Sequence, residues 1–209
     1  MDAFWTQFAE QSLAEIVAVV LAIAYVLLAA KQNIWCWPCA LFSTAIYTWI
    51  FWDVSLFFQA VLNFYYLIMA VYGWVYWKKM HEKEGEAVVS WPLRQHLATL
   101  VGIAIATAIT FYVSTSIFAE TIVFLDVLVA VASAAVTYLM ATKVLENWLY
   151  WMIINSLAAY LYFSAGLVLT GVLFVGYVMF SVYGFVKWRS SQRTEIPSDN
   201  QTSVANTNN

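Results

Sequence analysis

Apolar residues run in long unbroken stretches along this chain. A helix needs roughly 20 mostly apolar residues to cross the hydrocarbon layer of a membrane. The stretches that meet this condition are 13–30, 34–52, 56–77, 95–114, 121–142, 145–165 and 168–188. A membrane β-barrel would instead alternate polar and apolar residues within segments of about ten. The pattern therefore predicts an all-α polytopic membrane protein with seven transmembrane helices.

The composition excludes the main soluble classes. Of the 209 residues, 64% are hydrophobic and only 10% are charged, whereas a soluble domain is typically about a quarter charged. Such a chain cannot cover a water-facing surface. With a net charge of −3 it also has no means of attracting a nucleic-acid backbone. We expect the lipid bilayer as a partner and no nucleic acid.

The basic residues predict the orientation, because Lys and Arg accumulate in short cytoplasmic loops. All nine fall on one side of the predicted spans: Lys31, Lys78, Lys79, Lys83, Arg94, Lys143, Lys187, Arg189 and Arg193. This places the N-terminus outside and the C-terminus in the cytoplasm. We predict that 1–192 form the membrane domain and that 193–209, which are polar and lack aromatics, form a disordered cytoplasmic tail.

Segment 72–78 at the end of span three is matched by 183–189 at the end of span seven, at an offset of 111 residues. Other pairs at this offset are Trp37 with Trp148, Leu62 with Leu173, Tyr66 with Tyr177, and Glu15 with Asp126. Two aromatic belts that converged independently are one explanation. We prefer duplication of a three-helix unit.

The duplication predicts a first triplet over 13–77, a second triplet over 121–188, and a linker helix over 95–114. Three helices reverse the direction of the chain and a fourth restores it, so both triplets enter the membrane from the same side. Transporters with such parallel repeats bind substrate between the halves near the midplane. The repeat thus indicates a transporter.

Span six carries Trp148, Trp151 and Asn155 at i, i+3 and i+7, on one helical face. Asn155 lies near mid-membrane, where its amide must find partners. A helix–helix hydrogen bond with two interfacial Trp anchors would explain the pattern. Two indoles beside a buried carboxamide would equally bind a flat cationic ring by stacking and cation–π attraction.

Other polar or aromatic residues are candidates for the same cavity. Gln59, Asn63 and Tyr66 form one stripe of span three. Asp126, about five residues inside span five, is either an interfacial carboxylate that reaches water or an anionic wall on the path of a cation. Further rings come from Tyr47, Tyr65, Tyr160 and Tyr183.

Cys36 and Cys39 flank Pro38 in a CxxC, which suggests a membrane thiol redox protein as a distant alternative. The pair lies on the side predicted to be reducing, and Pro38 suits the first turn of a helix. His81 and His96 suggest no metal site. We expect neither an enzyme nor a cofactor.

The motifs of 146–155, with Glu-Asn-Trp-x-x-Trp-x-x-x-Asn, and of 72–77, with Tyr-Gly-Trp-x-x-Trp, resemble the Pnu family of bacterial vitamin transporters. Asp126 with Ser133 also matches a family pattern. The resemblance covers all seven spans. It implies a SWEET-like three-plus-one-plus-three arrangement in the bacterial inner membrane, a homotrimer, and facilitated diffusion of a vitamin that cytosolic kinases then phosphorylate.

Two positions depart from the branch of the family that carries nicotinamide riboside. Asn63 stands where those members resemble one another in a Gln, and Tyr183 precedes Gly184 where they tend to have Asn. We expect both positions to face the cavity. On this basis we favour thiamine slightly, with nicotinamide riboside as the alternative; both are cationic heteroaromatics that suit the indoles and Asp126.

Overall fold

The computed structural model describes residues 13–53, 57–82, 88–117, 124–164 and 168–194. These residues form seven helices, one in each predicted stretch: α1 (Leu13–Ala30), α2 (Cys36–Asp53), α3 (Phe57–Glu82), α4 (Leu93–Ile117), α5 (Phe124–Ala141), α6 (Asn147–Ser164) and α7 (Val168–Thr194). The predicted all-helical fold is confirmed. The proposed tail lies outside the described residues, apart from 193–194 at the end of α7.

Four of the helices are long and apolar enough to cross a membrane by length and composition: α3, α4, α5 and α7. Helix α1 contains a shorter apolar stretch, Ile16–Ala30. Helices α2 and α6 have 18 residues each, a length of about 27 Å at 1.5 Å per residue, but Trp, Tyr and polar residues lower their hydropathy. The chain is a multi-pass membrane protein.

Six helices form a closed ring. Helix α2 packs between α1 and α3, and α6 packs between α5 and α7. The two triplets meet at two junctions, α1 against α7 and α3 against α5. Helix α4 lies outside the ring against α5, and its outward face is apolar. The repeat therefore encloses an interior that both triplets line.

The duplication is visible in the backbone. The turns after α1 and α5 each contain a residue with positive φ, Gln32 at 54° and Lys143 at 56°, which are 111 positions apart. In each turn the next amide donates back to a carbonyl of the helix. Asn33 donates to Leu28 at 2.9 Å after α1, and the corresponding amide after α5 donates at 3.0 Å. This is the Schellman ending of a helix. Matching turns at the repeat offset favour duplication over independently converging aromatic belts.

Four tryptophans fill one end of the ring, and we call them the tryptophan cluster: Trp37, Trp77, Trp148 and Trp188. None is more than 2% exposed. Within the first triplet the rings of Trp37 and Trp77 stand at 89° with centroids 5.4 Å apart, and in the second Trp148 and Trp188 stand at 89° and 5.5 Å. Trp77 and Trp188 are 6.2 Å apart. Because α3 and α7 are not neighbours around the ring, this last contact crosses its interior.

Each triplet donates an indole N–H to the other. Trp77 Nε1 donates to the carbonyl of Ala141 at the end of α5, and Trp188 Nε1 donates to the carbonyl of Ala29 at the end of α1, both at 3.0 Å. The last carbonyls of a helix have no partner within it. The indole of Trp77 provides one for Ala141, and the indole of Trp188 adds a second donor to the carbonyl of Ala29, which also accepts from the amide of Gln32 at 2.9 Å. These bonds join the triplets at this end, which we call the basic end because the described Lys and Arg side chains lie there.

Glycines make room for the tryptophan cluster. A Cβ on Gly73 would lie 2.3 Å from the ring of Trp37, and a Cβ on Gly184 would lie 2.6 Å from the ring of Trp148. Real Cβ atoms do not approach rings so closely. The Tyr-Gly motif of each repeat is thus explained by packing: each glycine lets α3 or α7 approach the indole of the preceding helix.

We expect Gly184→Ala to lower the melting temperature of the purified protein, because the methyl must displace a fully buried indole, at a cost of about 1–3 kcal/mol. Gly176→Ala is the matched control in the same helix, since a Cβ there meets nothing within 4 Å. Its melting temperature should stay unchanged or rise. Equal destabilisation of the two variants in a thermal unfolding assay would contradict this packing.

Candidate functional site

A layer of polar side chains lies near the middle of the ring helices. Asn155 is 6% exposed and Ser181 is 2% exposed. Asn155 Nδ2 donates to Ser181 Oγ at 3.4 Å, and Ser181 Oγ donates to the backbone carbonyl of Tyr177 at 2.7 Å. Serine hydroxyls in helices commonly bond the carbonyl four residues earlier. The carboxamide of Asn155 is thereby held between α6 and α7, and its Oδ1 can accept a hydrogen bond.

The α3–α5 junction between the triplets contributes further polar contacts. The phenol of Tyr66 on α3 lies close to the hydroxyl of Ser133 on α5. Its neighbour Tyr65 donates from Oη to the carbonyl of Ala134 at 2.9 Å. Ser133 is 6% exposed. Polar pairs near the middle of the helices therefore join α6 with α7 inside the second triplet and α3 with α5 between the triplets.

Tyrosines from several helices surround this layer. The phenol of Tyr66 lies near those of Tyr25 of α1 and Tyr162 of α6, and the phenol of Tyr177 of α7 lies near that of Tyr47 of α2. Neither α1 nor α6 is a ring neighbour of α3, so the phenol of Tyr66 faces the interior. The site is an interior lined by phenols, hydroxyls and one fixed carboxamide.

Of the two predicted indole ligands, Trp148 belongs to the tryptophan cluster. It is 1% exposed, and its ring packs on Gly184. Trp151 is half-buried and packs against both the tryptophan-rich core and the smaller apolar core around Val136. Trp151, one turn before Asn155, is thus the indole that remains partly accessible beside the polar layer.

Three further predicted residues have different outcomes: one lies away from the polar layer, one lies on the same helix as Tyr66, and the side chain of one is not described. Tyr183 is 36% exposed and lines a cleft at the basic end together with Lys31 and Lys187. Asn63 is half-buried on α3, three residues before Tyr66. The side chain of Gln59 lies outside the described residues.

Asp126 is exposed in the first turn of α5, at the end of the ring opposite the basic end. An acidic residue in a first turn is stabilised by the helix dipole, which accounts for its position without any ligand. The carboxylate also interacts electrostatically with Tyr162, which faces the polar layer. Its assignment as an attractor for a cation stays a prediction.

The CxxC opens helix α2. Cys36 is buried, Cys39 is half-buried, and both thiols are free. Pro38 occupies the first turn of this helix, where the missing N–H of proline breaks no hydrogen bond. Within the described ranges, no three His, Cys, Asp or Glu side chains are grouped as metal ligands.

Ser181, Tyr177, Tyr25 and Tyr162 are interior residues that the sequence analysis did not single out as ligands. Tyr177 was already recognised as the repeat partner of Tyr66, and Ser181 follows it by one turn. The repeat offset would therefore have identified both Tyr177 and Ser181. Nothing in the local sequence marks Tyr25 or Tyr162, because their position depends on how α1 and α6 rotate in the ring.

Comparisons with known proteins agree with this architecture. The family model described as nicotinamide mononucleotide transporter matches residues 12–190. The nicotinamide riboside transporter PnuC of Escherichia coli (strain K12) and that of Shigella flexneri are each 21% identical over 205 residues, covering 86% of this chain and 86% of theirs. A crystal structure of the vitamin B3 transporter PnuC superposes with a TM-score of 0.73 at 24% identity, covering 90% of this chain and 85% of that one.

The solved structure establishes a common fold, and the family match covers nearly every described residue. The expectation of a transport protein rather than an enzyme is confirmed, as is the resemblance to the Pnu transporters. This chain belongs to the nicotinamide mononucleotide transporter family.

Proposed function

We propose that the chain carries a cationic pyridine nucleoside of the nicotinamide riboside type across the membrane. The observation that carries the proposal is the buried carboxamide of Asn155, which bonds to Ser181 between α6 and α7. The relatives are named for nicotinamide riboside, so the comparisons favour this alternative over the thiamine preference from the sequence.

The structure also weakens the basis of that preference. Tyr183, one of the two departures behind it, lies at the basic-end cleft and not in the polar layer. Asn63 remains as the other departure. A nucleoside presents a carboxamide and sugar hydroxyls, which need several hydrogen-bonding partners, and the polar layer supplies an amide, two serines and several phenols.

The proposed binding mode follows from these groups. The pyridinium ring would lie against the indole of Trp151 and the nearby phenols, since aromatic faces attract cations. Asn155 Oδ1 would accept a hydrogen bond from the carboxamide of the ligand. Ser133 and Tyr66 would bind the sugar, and Asp126 would attract the cation at the end of the ring opposite the basic end.

Passage would follow from movement of the two triplets around this site, down the gradient of the vitamin. Directional uptake would come from phosphorylation by separate cytosolic kinases. As further parts of the proposal, the protein acts as a homotrimer in the bacterial inner membrane, with the basic end in the cytoplasm. The last point rests on the accumulation of Lys and Arg at that end.

Asn155→Leu should reduce the affinity for nicotinamide riboside about tenfold or more, because an apolar side chain leaves the ligand amide and Ser181 without their partner. Binding is measured calorimetrically in detergent, and uptake of labelled nicotinamide riboside and labelled thiamine is measured in parallel in liposomes. The control is Tyr160→Phe, on the same helix and 68% exposed. Unchanged affinity in Asn155→Leu, or faster uptake of thiamine by the unaltered protein, would refute the corresponding part.

Ser181→Ala should weaken nicotinamide riboside binding about fivefold, since loss of one hydrogen bond of about 1 kcal/mol frees the carboxamide of Asn155 to rotate. Ser156→Ala is the matched control: its hydroxyl makes the same bond to a carbonyl four residues earlier, Met152 at 2.7 Å, but it is exposed. The two affinities are compared in one titration series. Equal effects would separate Ser181 from the site.

A variant with Cys36→Ser and Cys39→Ser should transport normally, because the proposed passage uses no thiol chemistry. Adding Lys78→Cys to it tests the orientation. A membrane-impermeant maleimide should label this cysteine only in inside-out vesicles. Loss of transport would support the alternative of a thiol redox protein. Labelling in right-side-out vesicles would contradict the predicted orientation.

A further inference from the structure

A cleft of about 410 Å³ opens at the basic end, between the end of α1 and the last turns of α7. Two lysines face it, Lys31 from the turn after α1 and Lys187 from α7, and both are exposed. The lining residues, all within the described ranges, include no carboxylate. The cleft therefore carries two positive charges with no opposite charge in its walls.

The polar walls of this cleft are held in place. Gln32 Nε2 donates to Ser191 Oγ at 3.0 Å, a bond between the turn after α1 and α7. Because Ser191 Oγ accepts there, its own proton can be donated into the cleft. The ammonium of Lys187 lies 5.8 Å from the ring centre of Tyr183, which orients the charge by a cation–π contact. Two ammonium groups and a hydroxyl thus converge on one space.

The repeat does not create this cleft at both junctions. At the α3–α5 junction the positions equivalent to Lys31 and Lys187 are Thr142 and Tyr76. There the ring of Tyr72, the equivalent of Tyr183, stacks on that of Tyr138, with centroids 6.2 Å apart and planes at 25°. The paired lysines are therefore specific to one junction and are not a by-product of the duplication.

The surface next to the cleft is apolar and continues along α7 toward the middle of the helix. Val175, Met179, Val182 and Val186 follow one another at helical spacing, and they are 44–64% exposed. On a membrane-spanning helix, such a stripe faces acyl chains. An anion seated between the lysines would lie at the level of the lipid headgroups, directly above this stripe.

We propose that this cleft binds the phosphate headgroup of an anionic phospholipid, with its acyl chains along the α7 stripe. Lys31 and Lys187 neutralise the phosphate, and Ser191 donates to one of its oxygens. Juxtamembrane lysines attract anionic lipids with an energy that depends on their distance from the phosphate. The lipid bridges α1 and α7, the helices whose contact closes the ring at this junction.

The test is native mass spectrometry of the purified protein, titrated separately with phosphatidylglycerol, phosphatidylcholine and glycerol phosphate. The double variant K31Q/K187Q should lower the affinity for phosphatidylglycerol about tenfold, from the loss of two contacts to the phosphate. The control is K78Q/K79Q, which removes two exposed lysines at the same end but outside the cleft. It should bind nearly as well as the unaltered protein.

Each alternative gives a distinct result. Equal losses in both double variants would show general attraction to a basic surface, and equal affinity for phosphatidylcholine would show no selection for an anion. Binding of glycerol phosphate as tightly as phosphatidylglycerol would indicate a site for a free phosphate compound. Any of these overturns the proposal. Melting temperatures measured without lipid confirm that each variant is folded.

Discussion

Two indole N–H groups, one from each triplet, hold the halves of the ring together. Trp77 and Trp188 reach across to carbonyls at the ends of α5 and α1, and their rings meet in the interior of the ring. The turns that follow those helices, the glycines under Trp37 and Trp148, and the buried basic end all depend on this arrangement. The polar layer is positioned because the helices that carry it are fixed at this end.

The seven helices and the repeat could be predicted from the sequence, because run length and an offset of 111 residues are properties of the chain alone. The residues of the candidate site were harder to predict. Trp148 was assigned to the ligand even though its repeat partner Trp37 shares no ligand motif, and the structure gives both indoles the same packing position. The pairing of Trp148 with Trp37 at the repeat offset therefore indicated a packing role more reliably than the residue spacing within α6 indicated ligand binding.

Tyr183 and Ser181 show a second limit of prediction from the sequence, which is the rotation of a helix about its axis. They lie two residues apart on α7, yet one faces a basic cleft and the other the interior. Which side a residue faces depends on the rotation of the helix, and hydrophobic patterning does not fix that rotation in a membrane, where the lipid-facing and interior-facing sides are both largely apolar. The hydrogen bond to Asn155 fixes it here, and such a bond is visible only once the helices are packed.

The tryptophan cluster also determines how a solute can pass through the ring of helices. The contact between Trp77 and Trp188 closes the interior at the basic end, so a solute in the polar layer can leave that way only if the two indoles separate. The interactions to be broken are few: two hydrogen bonds of about 1 kcal/mol each and ring contacts of about 0.5–1.5 kcal/mol each.

Part of that stability is already offset. Among the described residues, the indole N–H groups of Trp37 and Trp148 are buried without a hydrogen-bonding partner, and such a group costs about 1–3 kcal/mol. Unpaired groups of this kind lower the free energy that opening the basic end requires. A ligand shifts an equilibrium only by its differential affinity for the two states. In the proposed binding mode, contacts with Asn155 and the phenols would provide that difference and favour opening of the basic end.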